Sequence, residues 1–155
     1  MYAALGLLGW VVLCFGAAGV GARFTTAALP GWYRQLDKPS WTPPDRVFGP
    51  VWSALYLAMA IAAWLVWRQR DAARAIPLGL FVLQLSLNVA WSAVFFGLRQ
   101  TGLGVAVIVA LWASIAATVK AFLELRPLAG WLLLPYLAWV SFASALNFAI
   151  WRRNP

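Results

Sequence analysis

Histidine is missing altogether from these 155 residues, and acidic side chains number only four. Without an imidazole there is no His-ligated zinc, no Ser-His-Asp triad and no His-ligated haem. Cysteine is nearly missing too. Cys14 stands alone, so no intrachain disulfide forms, and the residue reads as a small apolar member of a helix. The acids, Asp37, Asp45, Asp71 and Glu124, all fall in loops or at helix ends. A proton pump or ion-coupled transporter keeps an ionisable group near the membrane centre, and none of these four is placed for that. Charged residues of both signs make up 10% of the chain, against roughly 25% in a soluble domain.

What is present is apolar: 64% of residues are hydrophobic. Arg and Lys divide that material into uncharged intervals at 1–22, 47–67, 75–98, 100–119 and 127–151, which are 22, 21, 24, 20 and 25 residues long. A helix crossing the hydrocarbon core needs about 20 residues. The expected fold is therefore an all-α integral membrane protein: one domain over 1–155, a bundle of five transmembrane helices near 3–24, 46–68, 76–98, 102–123 and 128–151. A transmembrane β-barrel would need short segments alternating apolar and polar, and "VAVIVALWASIAATV" does not alternate. The first interval is expected to stay as a helix rather than be cleaved, since "MYAALG" has no basic start. The net charge of +8 fits helix ends among lipid headgroups rather than nucleic acid. Five crossings put the termini on opposite sides. The C-terminal side carries Arg23, Arg34, Lys38, Arg46, Arg99, Arg152 and Arg153 against Arg68, Arg70, Arg74, Lys120 and Arg126 on the other, a small bias toward a cytoplasmic C-terminus.

The longest connection, near 25–45, holds Trp32, Tyr33 and Trp41 with Pro39, Pro43 and Pro44. Such aromatic content does not stay in water, so the segment is expected to fold back as a lid. Pro77 and Pro127 suit helix starts, whereas Pro50 and Pro135 stand inside apolar runs, where each removes an intrahelical hydrogen bond and is expected to kink its helix. Small residues recur at Ala106, Ala110, Ala113, Ser114, Ala117 and Ala121, and at Ala18 and Ala22; packing within the bundle is the expected use, ahead of a dimer interface.

Helical spacing sorts the remaining side chains into stripes. Trp52 and Tyr56 share one face; Gln84, Asn88 and Trp91 another; Trp139, Ala143 and Asn147 a third. Three such stripes call for a common interior suited to a flat, conjugated or steroid-like ligand. Asn88 and Asn147 also suit plain hydrogen bonding across helices. Trp10, Trp64, Trp67, Trp131 and Trp151, near helix ends, read as an interfacial belt.

"WYRQLDKPSWTPP", "VFGPVWSALY", "QLSLNVAWSAVFF" and "LLPYLAWVSFASALNFAIWR" follow one another from Trp32 to Arg152. In that order and spacing they resemble the signature segments of the tryptophan-rich sensory protein family, which includes the mitochondrial translocator protein. The resemblance implies a five-helix bundle, in bacteria often a homodimer. Its first loop would close over a cavity for porphyrins, notably protoporphyrin IX, and for benzodiazepine-site ligands. Carried over by motif, the ligand-binding residues are Tyr33 and Pro43 in the lid, Trp52 and Tyr56, Asn88 and Trp91, and Trp139 and Ala143. Animal members also bind cholesterol, but Phe148 stands where their sterol motif has tyrosine, so cholesterol is not expected to bind tightly.

The leading expectation is a membrane tetrapyrrole-binding sensor that needs no cofactor or metal and takes porphyrin as its ligand. Arg34, Lys38 or Arg46 would meet the propionates, with lipid headgroups as their other partner. The alternatives are a light- and oxygen-dependent porphyrin-degrading enzyme with Trp52 and Trp139 as the reacting indoles facing each other across the cavity, a passive transporter of porphyrin or lipid, and an assembly factor.

Overall fold

The computed structural model describes residues 2–69 and 72–154, so Met1, Arg70, Asp71 and Pro155 lie outside the described residues. Helix α1 spans Tyr2–Ala28 and runs on through a π-turn at Leu29–Tyr33. Helix α2 spans Asp45–Trp67, α3 Ala75–Ser92 with a π-turn at Ala93–Gly97, α4 Thr101–Leu125 and α5 Pro127–Arg153. All five are long and apolar enough to cross a membrane. The protein is an integral, multi-pass membrane protein.

Local chemistry explains the punctuation. Pro44 is extended (ψ 143°) and Asp45 follows in the first turn of α2, where a carboxylate suits the helix dipole. Between α4 and α5 the connection is a single extended residue, Arg126, because Pro127 disfavours a helical residue before it and opens α5 itself. Arg99 turns α3 toward α4 with φ 59°, a left-handed conformation that is uncommon outside glycine. Pro50 and Pro135 lie inside α2 and α5.

Around the bundle α1 packs on α2, α2 on α5, α5 on α4, α4 on α3 and α3 on α1, closing a ring. Away from the first loop the helices approach tightly: a Cβ on Gly6 would collide with the ring of Trp67, and Trp64 Nε1 donates to Ala3 O at 2.8 Å. Phe81 and Phe122 stack at 6.0 Å in the core on that side, beneath Trp10. Cys14 is fully buried.

Two expectations change. The first connection does not begin at residue 25: residues 25–33 remain helical, since "TTAALPGWY" holds no break that helix α1 cannot absorb as a wider turn. Arg34 and Gln35 are helical as well, so what remains of the lid is 36–44. On α4, Ala106, Ala110, Ala113 and Ala117 form an exposed outer stripe, and the face packed inward carries Ile108, Leu111, Ser114, Ile115, Thr118 and Phe122. Lipid is as apolar as the bundle interior, so the inward face gains by van der Waals packing of its branched and aromatic side chains against α3 and α5, and the alanines lose little by facing outward.

Candidate functional site

At the loop end of the bundle the helices part around a cavity of about 420 Å³, walled by α1, α2, α3 and α5. That volume falls within the range of small-molecule pockets. Tyr33, Trp52, Tyr56, Asn88, Trp91, Trp139 and Ala143 all line it, together with Asn147. Pro43 does not; it stands half-buried in the extended approach to α2, where with Pro44 it directs the chain into the helix. Gln84, one turn below Asn88, lies under the floor and is 1% exposed.

The two indoles singled out from sequence are not parallel plates across the cavity. Trp52 and Trp139 meet with ring centroids 6.5 Å apart and planes at 87°, forming a corner. A flat ligand therefore stacks on one indole and meets the edge of the other. Tyr56 extends the corner, 5.7 Å from Trp52. Opposite, Trp91 stacks on Phe95 at 5.6 Å, and Phe95 packs edge-on against Phe96 at 4.8 Å.

Both asparagines hydrogen-bond across helices while lining the cavity. Trp91 Nε1 donates to Asn147 Oδ1 (2.9 Å), and Asn147 Nδ2 donates to Thr101 O (2.9 Å), tying α3, α5 and α4 together. Gly104 makes room for this, because a Cβ there would lie 3.0 Å from both Asn147 Oδ1 and Phe95. Tyr56 Oη donates to Asn88 Oδ1 (2.9 Å), Asn88 Nδ2 to Tyr136 Oη (2.8 Å), and Tyr136 Oη to Gln84 Oε1 (2.9 Å). Trp139 Nε1 is buried without a partner, a donor in an apolar wall that wants an acceptor.

The lid and the helical turn that leads into it dock through aromatics. Trp32 and Tyr33 pack on Phe95, and Trp41 lies 5.7 Å from Phe142. Asn154, just past α5, accepts from Asp37 N (3.0 Å) and donates to Asp37 O (2.9 Å), while Arg153 pairs with the Asp37 carboxylate at 3.4 Å. Lys38 is engaged otherwise than expected: its ammonium donates to the carbonyls of Tyr33, Arg34 and Leu36 and sits 4.9 Å from the Tyr33 ring. The last turn of the first helix leaves carbonyls free, and a nearby cation satisfies them. Arg34 and Arg46 are exposed at this end, and Asp45 joins the cavity lining. The exposed members of that lining, among them Phe15, Ala22, Thr26, Gly49 and Ser53, lie on α1 and α2; those of α3 and α5 are buried or half-buried. The cavity's open side is thus between α1 and α2. Among the described residues no group of three or more Cys, Asp or Glu gathers in a way that could hold a metal.

A model of the TspO/MBR family matches residues 10–152. The chain belongs to the TspO/MBR family. Relatives include the translocator protein of Homo sapiens, 44% identical over 138 residues that cover 87% of this chain and 82% of that protein. The tryptophan-rich protein TspO of Chlorobaculum tepidum is 42% identical over 147 residues, 92% of each chain. The tryptophan-rich sensory protein of Cereibacter sphaeroides is 38% identical over 148 residues, 94% of this chain and 92% of that one.

Sequence reasoning on this TspO/MBR chain missed Tyr136, Phe95, Phe142 and the α1 wall. Their signal was present: Phe95 follows Trp91 by four residues, and Tyr136 and Phe142 flank Trp139 by three. Ala18, Ala22, Thr25 and Leu29 likewise share one helical face, and they line the cavity.

Proposed function

We propose that this membrane protein is a sensor that binds tetrapyrroles of the protoporphyrin IX type in the aromatic cavity under its first loop. The observation that carries the reading is the Trp52–Trp139 corner, in a cavity of about 420 Å³ walled mostly by aromatic and apolar side chains. A conjugated macrocycle lays its flat face on one indole of the corner and meets the edge of the other. Its propionates project through the open side, where Arg34 and Arg46 are exposed. The names of its relatives, sensory protein and translocator protein, are in keeping with a sensory or regulatory role in a membrane. No resident cofactor or metal enters this reading. Lipid surrounds the bundle, a homodimer is its proposed assembly, and cholesterol and nucleic acid are not proposed as partners.

Titration with protoporphyrin IX in darkness tests it. Saturable quenching of tryptophan fluorescence, lost when Trp52 and Trp139 are both replaced by leucine, is the expected result. Unsaturable quenching, or quenching indifferent to both replacements, refutes it.

One observation favours a second reading. Trp139, Trp52 and Tyr56 are consecutive neighbours at 6.5 and 5.7 Å, a short series of oxidisable rings along the cavity wall. Light-driven oxidation of bound porphyrin, with oxygen as the electron acceptor, would use them. Spectral conversion of the porphyrin under illumination but not in darkness distinguishes this activity from binding alone.

A further inference from the structure

The polar chain beneath the cavity can run in either direction. As it stands, each hydroxyl and amide donates inward, from Tyr56 to Asn88, to Tyr136 and to Gln84, and all four residues are at most 4% exposed. Every link is a phenol or a primary amide, and both kinds of group donate and accept. Turning the two amides over exchanges their oxygen and nitrogen positions. Gln84 Nε2 then donates to Tyr136, Tyr136 to Asn88 Oδ1, and Asn88 Nδ2 to Tyr56. Three hydrogen bonds exist in both senses.

Only the ends differ. In the sense seen, Gln84 Nε2 at the inner end is buried without a partner, and the Tyr56 oxygen at the outer end keeps its lone pairs for the cavity. In the reverse sense one Gln84 N–H is satisfied and the Gln84 carbonyl is left instead, the more readily tolerated of the two orphans. Tyr56 then points its proton outward. With bond number equal and the inner ends similar, the group that meets Tyr56 in the cavity decides the sense.

We propose that Tyr56, Asn88, Tyr136 and Gln84 form a reversible relay that lets Tyr56 serve a hydrogen-bond acceptor or a donor on the ligand, with Gln84 as the distant residue that sets the balance. Gln84 is a positioning residue, since it does not line the cavity. The inference rests on the ligand-binding reading of that cavity, and it extends the ligand class to flat aromatic frames bearing either an N–H or a carbonyl at the atom facing Tyr56.

Carbazole and fluorenone test it, because they present an N–H and a carbonyl at the same position of one three-ring frame. The wild-type protein should bind both. Gln84→Leu leaves the Tyr136 hydroxyl no acceptor except Asn88, fixes the reverse sense, and should lower carbazole affinity relative to fluorenone by about tenfold. Adding Gln84→Leu to a Tyr56→Phe background should leave the ratio of that background unchanged. Infrared difference spectra of the wild-type protein with labelled tyrosine give a readout independent of any variant's folding: the C–O stretching band should move in opposite directions for the two probes. If neither probe binds the wild-type protein while protoporphyrin IX does, this inference alone is overturned; if protoporphyrin IX fails as well, the cavity reading and this inference fall together. If both bind but the ratio ignores Gln84→Leu, or the band moves alike for both, the relay alone is overturned.

Discussion

Replacing Tyr136 with phenylalanine removes one oxygen from the most buried part of the molecule. Tyr136 is 1% exposed, and its hydroxyl is bonded on one side to Asn88 at 2.8 Å and on the other to Gln84 at 2.9 Å. The ring remains, so apolar packing hardly changes. What is lost is two hydrogen bonds between helices, each worth about 0.6 kcal/mol on average in a membrane protein. A further term comes from stranding an Asn88 N–H and the Gln84 carbonyl, at about 1–3 kcal/mol for a buried group without a partner. Asn88 retains Tyr56, and Gln84 already tolerates a free Nε2, so the lower end applies. The expected destabilisation is about 2 kcal/mol. Reversible unfolding in mixed micelles measures it, with Ser141→Ala as reference, since that exposed hydroxyl serves Trp112 on the outer surface and should cost less than about 0.5 kcal/mol. A Tyr136→Phe protein as stable as the Ser141→Ala protein would show that the polar chain does not hold α3 and α5 together.

Metal-free protoporphyrin should bind at least as well as haem, because no histidine is available to the iron; a haem affinity higher by about tenfold, 1.4 kcal/mol, would count against stacking as the basis of recognition. Trp52→Phe or Trp139→Phe keeps an aromatic face and should weaken dark binding by about 1 kcal/mol, whereas any photoconversion should fall much further; equal photoconversion in the double variant would remove both indoles from that chemistry. Asn154→Ala severs the tie between α5 and Asp37 and should speed ligand release about threefold in stopped flow, while an unchanged rate would mean the aromatics alone seat the lid. Cysteines placed at residues 3 and 153 should react with an impermeant reagent from opposite sides of the membrane, with buried Cys14 giving no background; reaction of both from one side would contradict five crossings.

The spans were legible because charge is so sparse that Arg and Lys mark the ends of nearly every helix. The cavity wall was legible wherever a stripe mixed tryptophan with a polar residue, as for Trp52 and Tyr56 or Trp91 and Asn88. Where a wall is built of alanine, threonine or phenylalanine, periodicity looks the same for a helix contact, a cavity or a lipid face, and so the α1 wall and Phe95 went unseen. The α4 alanines misled for the same reason. Spacing places residues on a face, but the neighbour of that face is a property of the whole ring of helices. Lys38 shows a different limit: a cation near a ligand mouth and a cation closing a helix end have the same sequence signature.

The side-chain hydrogen bonds around the cavity join α2, α3, α4 and α5, whereas Trp64 fastens α1 at the opposite end. Helix α1 is also the least enclosed, with 6% of its most apolar window buried against 33% or more for the other four. In terms of biogenesis, α1, made before the other four, has the fewest partners to wait for, since lipid satisfies most of its surface as soon as it inserts. It can sit alone in the bilayer while the other four gather their polar ties, and join them last. The wall nearest the cavity's open side is then the part of the bundle whose removal and return breaks the fewest bonds.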